Sequence, residues 1–347
     1  NHYDAIVIGG GHNGLVAAAY LAKAGKKTLV LEKRYLVGGA SVTEEVFPGF
    51  KFTVFSYVVS LFRPEIIRDL NLPAHGMTIL PLESTLTPTY DGRNYLYRDG
   101  DHYQTLRNIA RFSARDADAY DEYARYMYFM AKAVRYILGI IPPDPTTLNP
   151  KDMMGLLDMA RHFLALSQDQ LYVLAKLMTM SAADFVEQWF ESEPLKATLS
   201  ASGIIGTFLG PRSPGTAYVL LHHYMGEIDG AYRAWGFHKG GTGGLAQALA
   251  SAAEAQGVEI RCNAGVARVL VKNGRTSGVV LDNGDEITAP MVLSSLDPKQ
   301  TFLNLVEPGN LPDDLVVAVR RFQTLGSSGK VNLALDRAPE LACRPGF

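Results

Sequence analysis

Near the start of the chain stands Gly9-Gly10-Gly11-His12-Asn13-Gly14, between a β-branched apolar run at residues 3–8 and an alanine-rich stretch at 14–24. A short apolar run that ends in glycines reads as a strand buried on both faces, which belongs in a parallel sheet. Gly25 closes the helix that follows, and Thr28–Leu31 supplies a second buried strand. Strand, glycine turn, helix and strand within about 30 residues make a βαβ crossover. In this GxGxxG pattern Gly9 makes the tight turn, Gly11 removes a side chain where a diphosphate approaches the backbone, and Gly14 lets helix and strand pack closely. The start of the helix then offers free N–H groups and the positive end of its dipole to an anion.

Glu32 ends the second strand 18 residues after Gly14, near the spacing of about 20 expected of a ribose-binding acid. A carboxylate there accepts both ribose hydroxyls and repels a 2′-phosphate, which argues against NADP. Lys33, directly after it, joins the cofactor-binding candidates. Gly38-Gly39 adds a second place where backbone can come close to a diphosphate or a flavin, and its position after Glu32 favours FAD over NAD.

At 347 residues the chain outgrows a single core, so two connected domains are expected. A hydrophobic share of 47% and a charged share of 20% fit a globular enzyme. The apolar runs at 127–130 and 136–141 are interrupted by Lys132 and Arg135 and fall short of a membrane span. A net charge of -2 with scattered Lys and Arg excludes the nucleic-acid-binding class. Cys262 and Cys343 are too few and too far apart for a disulfide framework or a CxxC pair, and no metal site is expected. No signal segment precedes the first strand, so the chain reads as cytoplasmic.

Residues 64–72 read as a short helix, and 85–99 as antiparallel strands with turns at Asp91-Gly92 and Asp99-Gly100. From 105 to 207 apolar residues recur at helical spacing, with breaks at Pro142-Pro143, Pro150 and Pro194, as a helical insertion. Residues 216–225 fit either a helix or a strand. Gly240–Gly244 launches a helix to about 255. Strands at 258–260, 266–271, 278–281 and 286–288 follow, the last three joined at Asn273-Gly274 and Asn283-Gly284 as a β-meander. Residues 291–294 return to the main sheet, and a helix at 313–322 and a strand at 330–335 complete the reading. The expected organisation is a first part of an FAD-binding domain at 1–75, a substrate domain with the helical insertion at 76–235, the second FAD-binding part with the meander at 236–305, and the beginning of a return to the substrate domain at 306–347.

The residues 4–14 (DAIVIGGGHNG), 31–40 (LEKRYLVGGA), 235–245 (WGFHKGGTGGL), 258–271 and 292–298 (VLSSLDP) together resemble the phytoene-desaturase-like FAD oxidoreductases, within the fold class of the flavin amine oxidases. The segment 210–223 (GPRSPGTAYVLLHH) looks like the non-carotenoid relatives described as pyridine nucleotide-disulfide oxidoreductase domain proteins. The resemblance implies an α/β Rossmann-like FAD-binding domain with a β-meander and a largely helical substrate domain. It further implies that Gly9, Gly11 and Gly14 hold the pyrophosphate, Glu32 the ribose, Gly39 and Ala40 the surroundings of the flavin phosphates, and that Val266 meets adenine through its backbone. Gly240, Gly241 and Gly244 would line the approach to the flavin. A lipophilic substrate would pass hydride to flavin N5, with a quinone, oxygen or a nicotinamide as acceptor; no catalytic residue is identified. Such families carry a second, C-terminal flavin-binding motif that this sequence lacks, so an incomplete chain that holds flavin weakly is expected.

His222 and His223 lack a carboxylate partner to orient them, so one packed and one surface histidine is the simpler expectation. His12 sits in the glycine turn without chemistry. Tyr120, Tyr123, Tyr126, Tyr128 and Tyr136, with Met127, Phe129 and Met130, form a stripe that reads as core ahead of a lipid tunnel or a peripheral membrane contact. Arg63 could orient an anionic substrate but reads first as solvated or paired. Self-association as a homo-oligomer is also compatible with the sequence. Two alternatives to a lipid dehydrogenase stand: a flavin amine oxidase, and a carrier of prenylated partners resembling the GDP-dissociation inhibitors.

Overall fold

The computed structural model describes residues 2–346 except 229, 233 and 327. It divides into two compact units, the first of residues 1–80, 236–324 and 330–334, the second of the remainder. In the first unit, strands β1 (Ala5–Ile8) and β2 (Thr28–Leu31) flank helix α1 (His12–Lys23), and all four residues of each strand are buried. The parallel sheet runs Glu259–Arg261, β2, β1, Met291–Ser294.

Side chains alternate across a strand, and the two faces of this sheet take different partners. Val7 and Val30 pack with Leu15, Ala18 and Ala19 of α1 and with Leu245, Ala248, Leu249 and Ala252 of the helix Thr242–Ala255. Ile6, Ile8, Leu29 and Leu31 instead join Val269, Val279, Leu281 and Ile287 of the meander. Each such Val, Leu or Ile contributes about 1.5–3 kcal/mol on burial. Double burial is thus the physical reason the two strands carry no polar alternation.

The meander comprises Val266–Lys272, Arg275–Leu281 and Glu286–Thr288. At its first turn Asn273 and Gly274 have φ of 53° and 71°, the pair of positive values that a tight two-residue hairpin requires. A hairpin that the sequence reading did not include, β3 (Thr43–Phe47) with β4 (Phe50–Thr53), turns at Gly49 with φ 85°. Its apolar residues Val46, Phe47 and Phe50 are exposed, so no inward-outward pattern marks it.

The second unit is largely helical. Tyr120, Tyr123, Met127 and Met130 of the helix Ala114–Arg135 are buried in one cluster with Phe185, Phe190, Leu220 and Leu221, whereas Tyr128 and Phe129 are exposed. Thr216–Tyr224 is a helix, and Pro150 and Pro194 open helices where their missing N–H is harmless. The expected strand at 330–335 does not form. Val331, Leu333 and Leu335 alternate as a strand would, but all three are exposed and no sheet edge pairs with them; extended chain becomes a strand only where a neighbour takes its backbone hydrogen bonds.

Asp116 is fully buried, and its carboxylate accepts the N–H groups of Glu191 (2.8 Å) and Ser192 (2.9 Å) and the Ser192 hydroxyl. Asp116→Ala strands those donors without water, so a loss of about 3 kcal/mol is expected from the chemical-denaturation midpoint of the second unit. Among the described residues no helix is long and apolar enough to cross a membrane.

Candidate dinucleotide-binding site

The N-cap of α1 is Gly11, with φ -68° and ψ 167°; no side chain caps it and no acidic residue sits in the first turn. The first-turn N–H groups therefore keep their donors and the positive end of the helix dipole for an external partner. A Cβ added at Gly11 would find only Gly39 Cα, at 3.9 Å, so open space lies before the helix. A Cβ at Gly14 would strike the Gly9 carbonyl and come within 3.0 Å of Ser295 Oγ. One glycine keeps room for a ligand, and the other lets the helix seat on the turn.

Gly38 and Gly39 form the second wall. The Gly38 N–H donates to the Gly10 carbonyl at 2.8 Å, Gly11 and Gly38 make a parallel bridge, and a Cβ at Gly39 would lie 3.2 Å from Gly11 Cα. Gly39 has φ 60°. Ala40 is exposed beside it, and its carbonyl accepts the Ser56 N–H at 3.0 Å.

Glu32 is buried at the end of β2 and its carboxylate points into this loop. Oε2 accepts the Gly10 N–H and Oε1 the Arg34 N–H, each at 2.8 Å. A carboxylate oxygen accepts more than one hydrogen bond, so each keeps capacity for a further donor. The chain after Glu259–Arg261 is tied alongside: the Ala264 N–H donates to the Glu32 carbonyl and the Asn263 N–H to the Arg34 carbonyl, both at 2.9 Å. That loop carries the chain to Val266, the first residue of the meander, partly buried against its core. Lys33 is exposed, with Nζ 4.0 Å from Asp282, a surface pair worth about 0–1 kcal/mol. Burial lowers the pKa of His12, which disfavours an imidazolium at the helix start.

The glycines at 240–244 belong to a different helix start. There the Thr43 hydroxyl accepts the Gly243 N–H (3.0 Å) and the Thr53 hydroxyl the Thr242 N–H (3.4 Å). A Cβ at Gly241 would meet both threonines and one at Gly244 the His238 ring, whereas Gly240 faces open space. Gly241 and Gly244 thus pack this helix against the β3–β4 hairpin and His238. Gly9, Gly11, Gly14, Glu32, Gly39 and the chain leading to Val266 meet at the mouth of α1, and in the 240–244 run the Thr242 and Gly243 N–H groups are taken up by the threonine hydroxyls.

Sequence reading missed Thr43 and Thr53, whose hairpin carries no periodic signal, and Ser295, which directly follows the strand Met291–Ser294. It also missed Lys330, whose ammonium donates to the Phe55 carbonyl at 3.1 Å and to that of Thr53, and whose pKa is lowered by burial. Arg63 pairs with Glu65 at 3.5 Å. His223 bonds the Val219 carbonyl (2.8 Å) and lies against Trp235. His222 is half-buried, its pKa lowered first by burial and then by His223, so neither histidine sits at the surface as expected of one of them. Among the described residues no group of three or more His, Cys, Asp or Glu could hold a metal ion.

An uncapped helix start, a cradle free of side chains and a buried carboxylate beside it fit the diphosphate and ribose of a dinucleotide. Comparisons with known proteins point the same way. Residues 14–345 match the profile of the family described as flavin containing amine oxidoreductase. The chain is 39% identical over 357 residues to pyridine nucleotide-disulfide oxidoreductase domain-containing protein 2 of Rattus norvegicus, covering 99% of this chain and 61% of that protein. It is 26% identical over 306 residues to a limonene dehydrogenase polypeptide of Castellaniella defragrans, covering 86% of this chain and 52% of that one. The chain therefore spans about three-fifths or less of the length of these relatives. A solved structure of a putrescine oxidase variant, at 18% identity and a TM-score of 0.58, covers 92% of this chain and 63% of that one, and shares the fold. The chain belongs to the flavin containing amine oxidoreductase family, and FAD is its cofactor.

Proposed function

We propose that this chain is the greater part of an FAD-dependent oxidoreductase that dehydrogenates a lipophilic substrate. The observation that carries the reading is the buried Glu32 carboxylate fixed beside the uncapped start of α1. When bound, the flavin supplies the hydride-accepting ring. The first-turn N–H groups of α1 hold the diphosphate over the contact of Gly11 with Gly39, with Ala40 at its rim, and Glu32 accepts the ribose hydroxyls. The backbone near Val266, tied to Glu32 and Arg34, meets adenine. In the 240–244 run Gly240 is the position left to approach the flavin. The second unit is the substrate-binding part.

The lipophilic substrate class is favoured by the relationship to a limonene dehydrogenase polypeptide and by the apolar surface of the helix Pro150–Leu164, where Met153, Met154, Leu157 and Leu164 are exposed. Anaerobic titration of the flavin-loaded protein distinguishes the readings. Bleaching of the flavin absorbance by limonene and not by putrescine is the expected result. Bleaching by putrescine alone would replace the reading with amine oxidation, and a colourless protein that captures a prenylated peptide would replace it with a carrier.

A further inference from the structure

The peptide between Gly9 and Gly10 is gripped from both ends by residues far apart in sequence. Its N–H, on Gly10, donates to Glu32 Oε2 at 2.8 Å. Its carbonyl, on Gly9, receives the Ser295 hydroxyl at 3.1 Å, and the same hydroxyl lies 3.1 Å from the Ile8 carbonyl, which also accepts the Ser295 N–H at 2.9 Å. Gly9 has φ 95°, and a Cβ there would come within 2.6 Å of Ser295 Oγ. The serine therefore occupies the space that a side chain at Gly9 would need. Among the described residues no other group donates to the Gly9 carbonyl.

A peptide plane held by a donor at one end and an acceptor at the other has a fixed orientation, and this plane enters the turn that precedes α1. We infer that Ser295 is a positioning residue for the dinucleotide site: it locks the Gly9–Gly10 peptide so that the Gly10 N–H holds the Glu32 carboxylate in place. It touches neither diphosphate nor ribose and acts through that peptide. Removing the hydroxyl leaves the buried Gly9 carbonyl without its donor and frees the plane to rotate, which releases Glu32 Oε2. Ser295→Thr keeps the donor.

The inference rests on the dinucleotide-binding reading, so the test has one arm that needs no ligand. In the ligand-free chain, Ser295→Ala is expected to raise the hydrogen-exchange rate of the Gly10 amide about tenfold, and Ser295→Thr to restore it, as loss of one buried hydrogen bond implies. In the second arm, the ADP dissociation constant rises about tenfold in Ser295→Ala. The double variant with Glu32→Ala binds no worse than Glu32→Ala alone, since both act through one peptide. Unchanged Gly10 exchange, or losses that multiply in the double variant, would overturn the role given to Ser295. Faster Gly10 exchange in a protein whose wild type binds no ADP would leave the lock standing and refute the dinucleotide site itself.

Discussion

Replacing Glu32 by alanine is expected to raise the FAD dissociation constant by about two to three orders of magnitude, read by quenching of flavin fluorescence. Hydrogen bonds to an ionised group contribute about 1.5–3 kcal/mol each, and two ribose hydroxyls would lose theirs together. The loss reaches beyond the ligand, because the same carboxylate holds the Gly10 and Arg34 N–H groups. With both released, the glycine turn and the chain toward Val266 lose a common anchor. Glu32→Gln is no rescue, since its NH2 would face one of those two N–H donors. An alanine variant that keeps wild-type affinity would remove the ribose-binding role.

Gly11→Val and Gly14→Ala are expected to fail in opposite ways, which separates room for the ligand from room for the fold. At Gly11 the backbone is extended and the nearest atom to an added Cβ is 3.9 Å away. The added Cβ meets no clash there, so stability is expected to stay within about 0.5 kcal/mol of wild type. The valine side chain fills the space before the helix, and FAD binding falls below detection. At Gly14 a single methyl collides with the Gly9 carbonyl and crowds Ser295. The helix must lift from the turn, at a cost of about 3 kcal/mol in the melting of the first unit. Loss of fold in Gly11→Val, or an undisturbed Gly14→Ala, would reverse the two assignments.

The sequence made the first unit legible because its constraints are local. Double burial of 5–8 and 28–31 shows as unbroken apolar runs, the meander turn shows as Asn273-Gly274, and glycines mark the close approach between Gly11 and Gly39. The placement of Glu32 beside the glycine turn was legible to the same depth, because both sit within one βαβ unit, where spacing along the chain translates into distance. The contact of Ser295 escaped notice because it reaches Gly9 across 286 residues, and a serine after a strand has no local signature. Thr43 and Thr53 escaped for a related reason, since their hairpin turns its apolar residues outward. The 240–244 run illustrates the converse. A glycine-rich helix start resembles a ligand cradle in sequence, yet at three of its glycines the missing side chains make room for Thr43, Thr53 and the His238 imidazole. The alternation at 330–335 likewise carries β character without a partner strand.

The most direct test is a crystal structure of this chain grown with ADP. The expected result is the diphosphate within hydrogen-bonding distance of the first N–H groups of α1, over the contact of Gly11 with Gly39, and both ribose hydroxyls on the Glu32 carboxylate. ADP bound elsewhere, or bound here with its ribose turned away from Glu32, would contradict it.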